Sequence, residues 1–199
     1  MDKLKLPSTT RYSLKMALRT RLVIKRMRFS VTPQRIQADI ELAVRLDAVL
    51  QRYSPRCIGL FWPVFAEFDV RPVVTRWLRG DSTRQAALPV SVTSYSPMVY
   101  HAWTPNSQMK EGRHRIPVPR HEDGVIPDLL LVPCVGYDKS RYRLGYGGGY
   151  FDRTLATWPK HASPPVTVGI AYECSRIKSL PHKAHDLPMD IIVTDTICY

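Results

Sequence analysis

Short, nearly continuous apolar runs recur along the chain, separated by longer segments with helical periodicity. The runs are four to six residues long, which is the length of single strands. They lie at 57–62, 85–90, 98–103, 129–132, 166–171 and 190–194. Runs that are apolar at almost every position are typical of parallel strands covered on both faces. The pattern therefore predicts a largely parallel sheet.

Helical periodicity marks the segments between these runs. A first helix is predicted after Ser8, Thr9 or Thr10, with an apolar stripe of Leu14, Leu18, Leu22 and Met27. A second helix starts at Thr32-Pro33 and ends near 53–55, with a buried stripe of Ile36, Ile40, Ala43, Val44 and Leu50. Further helices are predicted at 70–78 and 151–158.

Strands and helices that alternate in this way predict one α/β domain spanning residues 1–199. The expected architecture is a Rossmann-like, three-layer arrangement in which helices cover both faces of a mostly parallel sheet. A chain of 199 residues is long enough for a single domain with a sizeable core. A ligand is expected in the crevice at the carboxyl ends of the strands.

Composition and charge limit the classes of function that the protein could have. The chain carries a formal charge of +12, and residues 1–28 hold nine Lys or Arg against a single Asp. Such a charge fits a nucleic-acid binder or an organellar transit segment. The basic residues do not interleave with aromatic ones, however, and no apolar segment is long enough for a membrane helix. We expect a cytoplasmic monomer that binds neither nucleic acid nor membrane.

Metal and disulfide chemistry have little support among the cysteines and histidines. The four cysteines are widely spaced, without a C-x-x-C pair, and so predict neither a zinc site nor a disulfide framework. His182 and His185 stand three residues apart without further ligand spacing, which does not favour zinc.

A glycine-rich stretch at 143–152, Arg-Leu-Gly-Tyr-Gly-Gly-Gly-Tyr-Phe-Asp, holds four of the ten glycines. It lies between a predicted strand and a predicted helix, where glycines let backbone N–H groups approach a phosphate. Arg143 and Asp152 flank the loop and suit a phosphate and a Mg²⁺ ion, respectively. The spacing matches none of the common phosphate-loop fingerprints, so a simple connecting bend stays open as an alternative.

The sequence at 133–138, followed by 143–153, resembles the signature of the 5-formyltetrahydrofolate cyclo-ligase family, also called methenyltetrahydrofolate synthetases. Three more segments match in the same order, so the resemblance runs from about Ser13 to Thr194. They are Lys15-x-x-x-Arg19, the aromatic-x-Pro-x-x-x-Glu segment at 61–67, and a closing segment with His185-Asp186 and Asp190. The chain departs from the family pattern at Val118, Cys134 and Phe151, where Glu, Gly and Tyr are usual.

The resemblance implies an ATP- and Mg²⁺-dependent ligase that closes 5-formyltetrahydrofolate to 5,10-methenyltetrahydrofolate and releases ADP and phosphate. It implies catalytic roles for Lys15, Arg19 and Arg143. The ATP site would comprise these three residues with Gly145, Tyr146, Gly147, Gly148, Gly149 and Tyr150. The folate site would comprise Trp62, Glu67 and the loop residues Tyr146, Gly147, Gly148, Gly149 and Tyr150. Asp152 and Asp190 would hold the metal.

Other interpretations stay open at this point. Lys15 and Arg19 also fit a solvated basic face, and Asp152 and Asp190 also fit a first-turn helix acid and a loop cap. The alternative functions are a basic nucleic-acid-binding protein and an ATP-binding relative without folate activity.

Overall fold

The computed structural model describes residues 8–182 and 186–199, with side chains from Ser13 onward. The helices are α1 (Ser8–Phe29), α2 (Gln34–Tyr53), α3 (Arg71–Arg79) and α4 (Tyr150–Ala156). The strands are β1 (Cys57–Gly59), β2 (Gln85–Val90), β3 (Val99–Ala102), β4 (Met109–Glu111), β5 (Pro117–Pro119), β6 (Leu129–Pro133), β7 (Gly136–Tyr137), β8 (Arg143–Leu144), β9 (Val166–Ile170) and β10 (Ile191–Val193). Short 3-10 turns lie at Arg113–Arg115 and Glu173–Ser175.

Six of these strands form the central sheet, in the order β10-β9-β6-β1-β2-β3. All neighbouring pairs are parallel except β2 with the edge strand β3. The predicted, mostly parallel α/β sheet is therefore confirmed. β1 is shorter than predicted: the strand ends at Gly59, and the buried residues Leu60 and Phe61 lead into the loop before α3.

Alternate residues of the strands face two separate cores. In β6, Leu129 and Leu131 pack with α2 and α3, whereas Leu130 and Val132 pack with partly buried residues of α4. Helices therefore cover both faces of the sheet, as predicted. The division follows from the strand geometry, because successive side chains point to opposite faces.

The predicted buried stripe of α2 is wrong for most of its residues. Ile36, Ile40 and Val44 are exposed, and the buried residues are Ala38, Leu42, Leu46, Val49 and Leu50. In α1, Leu22 is buried as predicted, but Leu14 and Met27 are about half exposed. Among the described residues, no helix is both long and apolar enough to cross a membrane.

α1 packs against the small β7–β8 hairpin that leads into the glycine-rich loop. Leu22 forms a core with Val135 and Leu144. The approach is close, because a Cβ added at Gly136 would lie 2.5 Å from Cδ1 of Leu22. Only glycine permits this contact without a shift, so the hairpin fixes α1 beside the loop.

Residues 104–127 contain the antiparallel β4–β5 hairpin. The turn between its strands includes His114 and Arg115 in left-handed conformations, with φ of 57° and 59°. This hairpin reaches back over the carboxyl ends of the sheet strands and contributes to the cavity described next.

Candidate active site

A cavity of about 580 Å³ opens at the carboxyl ends of β1, β2 and β6, the edge at which the sequence predicted a ligand crevice. A volume of this size is typical of small-molecule sites. Its walls come from α1, the loop between β1 and α3, the β4–β5 hairpin, the glycine-rich loop and the segment after Leu180. The lining includes Lys15, Arg19, Phe61, Trp62, Val64, Phe65, Glu67, Arg113, His114, Ile116, Val118, residues 142–152, His182 and Asp186.

The glycine-rich loop forms one wall. Gly145, Tyr146, Gly147, Gly148, Gly149 and Tyr150, all predicted as binding residues, lie in the lining. Gly147 and Gly149 adopt φ of 102° and 65°, a region that side chains rarely occupy. The Arg19 guanidinium packs against the same loop, since a Cβ on Gly147 would lie 3.3 Å from its Cζ. The loop thus needs glycine for its backbone and for its contact with α1.

The three predicted catalytic cations meet in this cavity, and each already has a partner. Lys15 Nζ lies 3.4 Å from a carboxylate oxygen of Asp186, and Arg19 Nε donates to the Gly145 carbonyl at 2.8 Å. The Arg143 guanidinium lies 2.6 Å from Asp152 Oδ1, and the Arg143 side chain is only 7% exposed. The structure therefore brings Lys15, Arg19 and Arg143, which the resemblance grouped, to one cavity.

The two predicted metal ligands do not converge. Asp152 lines the cavity at the carboxyl ends of the strands, but Asp190 lies at the amino end of the strand β10, which it directly precedes. There its Oδ2 accepts hydrogen bonds from the backbone N and Oγ1 of Thr167, at 2.8 and 2.7 Å, at the start of β9. β9 alone is about 16 Å long at roughly 3.3 Å per residue. The prediction that Asp152 and Asp190 share one Mg²⁺ is therefore wrong, and Asp190 has the structural role of fixing the ends of two strands.

Asp186, which the resemblance placed in the closing segment, does line the cavity. Its neighbour His185 lies outside the described residues. His182 stacks on the Tyr142 ring, with centroids 3.8 Å apart. Within 8–182 and 186–199, no group of three or more His, Cys, Asp or Glu residues is arranged to hold a metal.

Glu67 supplies a buried carboxylate on the wall that is formed by the loop between β1 and α3. It is 7% exposed, and burial raises its pKa above the ordinary value for a glutamate. Its Oε1 accepts a 2.5 Å hydrogen bond from the Tyr146 hydroxyl, and its Oε2 accepts a 2.8 Å bond from Val64 N–H. The charge of Arg26 and these two hydrogen bonds oppose the effect of burial.

An aromatic and apolar surface surrounds Glu67. Phe61, Trp62 and Phe65 line the cavity, and the Phe65 ring lies 5.8 Å from that of Tyr146. The Arg71 guanidinium stacks on Trp62 at 4.0 Å from the ring centroid. The site thus combines a cationic half at the glycine-rich loop with an apolar half that contains one buried carboxylate.

Sequence reasoning missed residues on two elements. Arg26 is only 2% exposed and donates to Tyr146, behind the cavity wall. Its position, one turn after Leu22 on the apolar side of α1, was the signal that could have revealed it. Arg113 and His114 reach the cavity from the turn after β4, and nothing in the local sequence marks that turn as part of a site.

The three departures from the family pattern are all apolar in this structure. Val118 lines the cavity and is buried, so no carboxylate stands where the family usually has Glu. Cys134 is buried, and desolvation raises its pKa to about 12, which leaves the thiol unreactive. Phe151 packs against the core that faces α4, and the Arg143 guanidinium lies 5.4 Å from its ring centroid.

The profile of the 5-formyltetrahydrofolate cyclo-ligase family matches residues 11–195. The chain belongs to this family. The 5-formyltetrahydrofolate cyclo-ligase of Escherichia coli (strain K12) is 29% identical over 183 residues, which cover 86% of this chain and 96% of that protein. The Haemophilus influenzae 5-formyltetrahydrofolate cyclo-ligase is 28% identical over 181 residues, which cover 87% and 95%, respectively.

A solved structure in the cyclo-ligase family has the same fold. The NMR structure of Aquifex aeolicus 5,10-methenyltetrahydrofolate synthetase matches with a TM-score of 0.75 and 25% identity. The match covers 93% of this chain and 91% of that one. The family match spans all four segments from which the resemblance was inferred, so membership does not depend on the glycine-rich loop alone.

Proposed function

We propose that the protein is a 5-formyltetrahydrofolate cyclo-ligase, which converts 5-formyltetrahydrofolate to 5,10-methenyltetrahydrofolate with conversion of ATP to ADP and phosphate. The observation that carries the proposal is the two-part cavity. Three cations and a glycine-rich loop form one half, and a buried carboxylate among aromatic rings forms the other. A polyanion and a pterin need these two environments side by side.

The cationic half suits phosphate groups. Lys15, Arg19 and Arg143 come from two elements that face one space, and arginine provides a planar fork for phosphate oxygens. When bound, ATP supplies the phosphoryl group that turns the formyl oxygen into a phosphate leaving group. N10 of the folate would then attack the formyl carbon and lose its proton to solvent. The C–O bond breaks as phosphate leaves with the electron pair, and a cationic methenyl bridge joins N5 and N10.

The protein's contribution to this reaction is positioning and charge stabilisation. The cations face the negative charge that builds up on the transferred group, and no protein nucleophile is needed. The three side chains are held by Asp186, the Gly145 carbonyl and Asp152, so their positions are set before the ligand arrives. Pre-set groups do not have to reorganise during the reaction.

Of the two predicted metal ligands, Asp152 alone is placed to bind a Mg²⁺ ion in this site. Mg²⁺ is commonly bound by one or two carboxylates, with phosphate oxygens and water completing the octahedron. One carboxylate in the lining is therefore sufficient, and the ion would neutralise phosphate charge beside Arg143.

The apolar half suits the pterin. The Glu67 carboxylate can accept hydrogen bonds from the donor-rich edge of the ring, and Trp62 offers an aromatic surface for its plane. Because Glu67 is buried, water cannot replace a donor that the ligand lacks. The hydrogen bond therefore discriminates against ligands without that donor.

The decisive experiment follows the absorbance of methenyltetrahydrofolate after 5-formyltetrahydrofolate is added to the purified protein. ATP and Mg²⁺ are each omitted in parallel reactions, and released phosphate is measured in the same samples. We expect product only when both are present, with one phosphate per methenyl group. ATP binding without any product would instead identify a relative that has lost folate activity.

A further inference from the structure

Arg26 is an arginine buried within the protein, on the side of α1 that faces the cavity wall. Burying a guanidinium is unfavourable unless it is paired and hydrogen-bonded. Its partners come from three separate segments. Nε donates to the Phe65 carbonyl at 3.0 Å, and the two terminal nitrogens donate to the Cys134 carbonyl at 3.3 Å and the Tyr146 hydroxyl at 2.5 Å.

The contact with Tyr146 fixes the direction of a hydrogen-bond chain. Because an arginine can only donate, the Tyr146 hydroxyl must accept from Arg26. Its own proton then goes to Glu67 Oε1, 2.5 Å away. Arg26 also lies 3.7 Å from the same carboxylate oxygen as an ion pair, with both side chains less than 5% exposed.

The turn that carries Glu67 needs this support. Phe65 and Ala66 have φ of 47° and 60°, although neither is glycine, and left-handed backbone is unfavourable for such residues. Arg26 binds the Phe65 carbonyl, and Arg35 of α2 donates to the carbonyls of Ala66 and Glu67 at 3.1 and 3.2 Å. Two arginines thus hold three successive carbonyls of a strained turn.

We propose that Arg26 is a positioning residue of the substrate site, which acts from behind the cavity wall through Glu67 and Tyr146. It orients the Glu67 carboxylate towards the cavity, sets the direction of the Tyr146 hydroxyl and joins the glycine-rich loop to the β1–α3 loop. The role in folate binding rests on the proposed function. The role in lowering the pKa of Glu67 against the effect of burial does not.

The groups that face Glu67 define the expected pH dependence. They are Arg26 from α1, the Tyr146 hydroxyl from the glycine-rich loop and Val64 N–H from its own turn, with Cys134 near by. Burial raises the pKa of Glu67, and the positive charge of Arg26 opposes that rise. Without Arg26 the carboxyl should therefore take up its proton at a higher pH. Since the ionised form accepts the pterin donors, folate affinity should then be lost at a higher pH as the solution is acidified.

The test compares Arg26→Met and Arg26→Lys with Arg28→Met, a control at an exposed position of the same helix. Lysine keeps the charge but cannot bridge three acceptors as the guanidinium does. The first measurement is the titration of the Glu67 carboxyl by ¹³C NMR in the ligand-free protein. The second is the dissociation constant of 5-formyltetrahydrofolate as a function of pH.

We expect Arg26→Met to raise the titration midpoint of Glu67 and to weaken folate binding about tenfold or more at neutral pH, in line with loss of a charge-assisted network. Arg26→Lys should give a smaller shift of the midpoint but still weaken binding, and Arg28→Met should match the wild type. If Arg26→Met fails to fold, Arg26→Lys carries both measurements.

An unchanged Glu67 titration together with unchanged folate affinity in a folded Arg26 variant would overturn the inference. A shifted Glu67 titration in a protein whose wild type binds no 5-formyltetrahydrofolate would uphold the role of Arg26 on the carboxylate and overturn the proposed function. The two failures are therefore distinguishable.

Discussion

Replacing Glu67 with glutamine tests the apolar half of the cavity most directly. Two of the acceptor positions of the carboxylate are occupied by the Tyr146 hydroxyl and Val64 N–H. An ionised carboxylate has about four lone-pair positions, so acceptor capacity remains for ligand donors. Glu67→Gln keeps the size of the side chain but removes its charge and half of its acceptors.

The expected loss of folate affinity follows from the strength of the bonds. A hydrogen bond to a charged group contributes about 1.5–3 kcal/mol, which corresponds to roughly a 10- to 150-fold change in the dissociation constant. The variant should also be less stable, by about 1–3 kcal/mol, because one donor is left without an acceptor. If the amide oxygen stays on Tyr146, its nitrogen meets the N–H of Val64; if the amide flips, the Tyr146 proton has no acceptor.

Binding of 5-formyltetrahydrofolate is measured by calorimetry, and stability by urea unfolding, for wild type, Glu67→Gln and Glu122→Gln. Glu122 is a matched control, because its side chain is 70% exposed and pairs with Lys110 away from the cavity. Only the Glu67 variant should lose affinity. A folded Glu67→Gln protein with wild-type folate affinity and reduced stability would show that the carboxylate only supports the structure, and the pterin assignment would be refuted.

Three further predictions address the rest of the molecule. Asp152→Asn should raise the Mg²⁺ concentration needed for half-maximal activity. Asp190→Asn should leave that concentration unchanged but lower the free energy of unfolding by about 1 kcal/mol, because the hydrogen bonds at the strand ends are weakened. Equal Mg²⁺ titrations for wild type and Asp152→Asn would contradict this prediction. Lys15→Ala should weaken ATP binding about tenfold and leave folate binding intact, as measured by calorimetry with each ligand. A selective loss of folate binding would show that α1 has been assigned to the wrong half of the cavity. At pH 8, iodoacetamide should modify the exposed Cys198 before the buried Cys134, because the pKa of the Cys134 thiol is raised to about 12. Labelling of the folded protein is followed by mass spectrometry. Early label on Cys134 would refute the argument from burial.

The order of the four helices and of the six central-sheet strands could be predicted because each of these elements is encoded locally, whereas the short strands β4, β5, β7 and β8 were not predicted. β2 has the predicted bounds, β9 ends one residue earlier than predicted, and both ends of α3 lie one residue later than predicted. The buried face of α2 could not be predicted in this way. Ile36, Ile40 and Val44 recur at helical spacing, and so do Leu42 and Leu46 with Ala38.

These two apolar stripes of α2 lie about 200° apart on the helix, since successive residues are separated by roughly 100°. Local periodicity supports both equally. The partner decides between them, because α2 packs its leucines against α3 and the sheet and leaves the β-branched stripe exposed.

The candidate site shows the same division between local and tertiary information. The family pattern led to Lys15, Arg19, Arg143 and Glu67, all of which reach one cavity. Arg26 stands among Lys25 and Arg28 and looks like one more member of a basic face. Its spacing from Leu22 indicates the apolar side of α1, but its hydrogen-bond partners lie 39, 108 and 120 residues away, so only the folded chain reveals what it binds.

The protein partners of Lys15, Arg19 and Arg143 give a physical reason to expect that so basic a chain would select among phosphates if the proposed function holds. Despite a formal charge of +12, each of these three cations is held by a carboxylate or a carbonyl of the protein. A phosphate that attracted Arg143 away from Asp152 would leave that carboxylate without its counter-charge. A phosphate that arrives with a divalent cation supplies partners for both, because the metal can take the carboxylate while the arginine takes the phosphate oxygens. Under the proposed function we therefore expect the Arg143–Asp152 pair to favour a metal-bound nucleotide over a free phosphate through the exchange of partners, and not through the net charge of the protein.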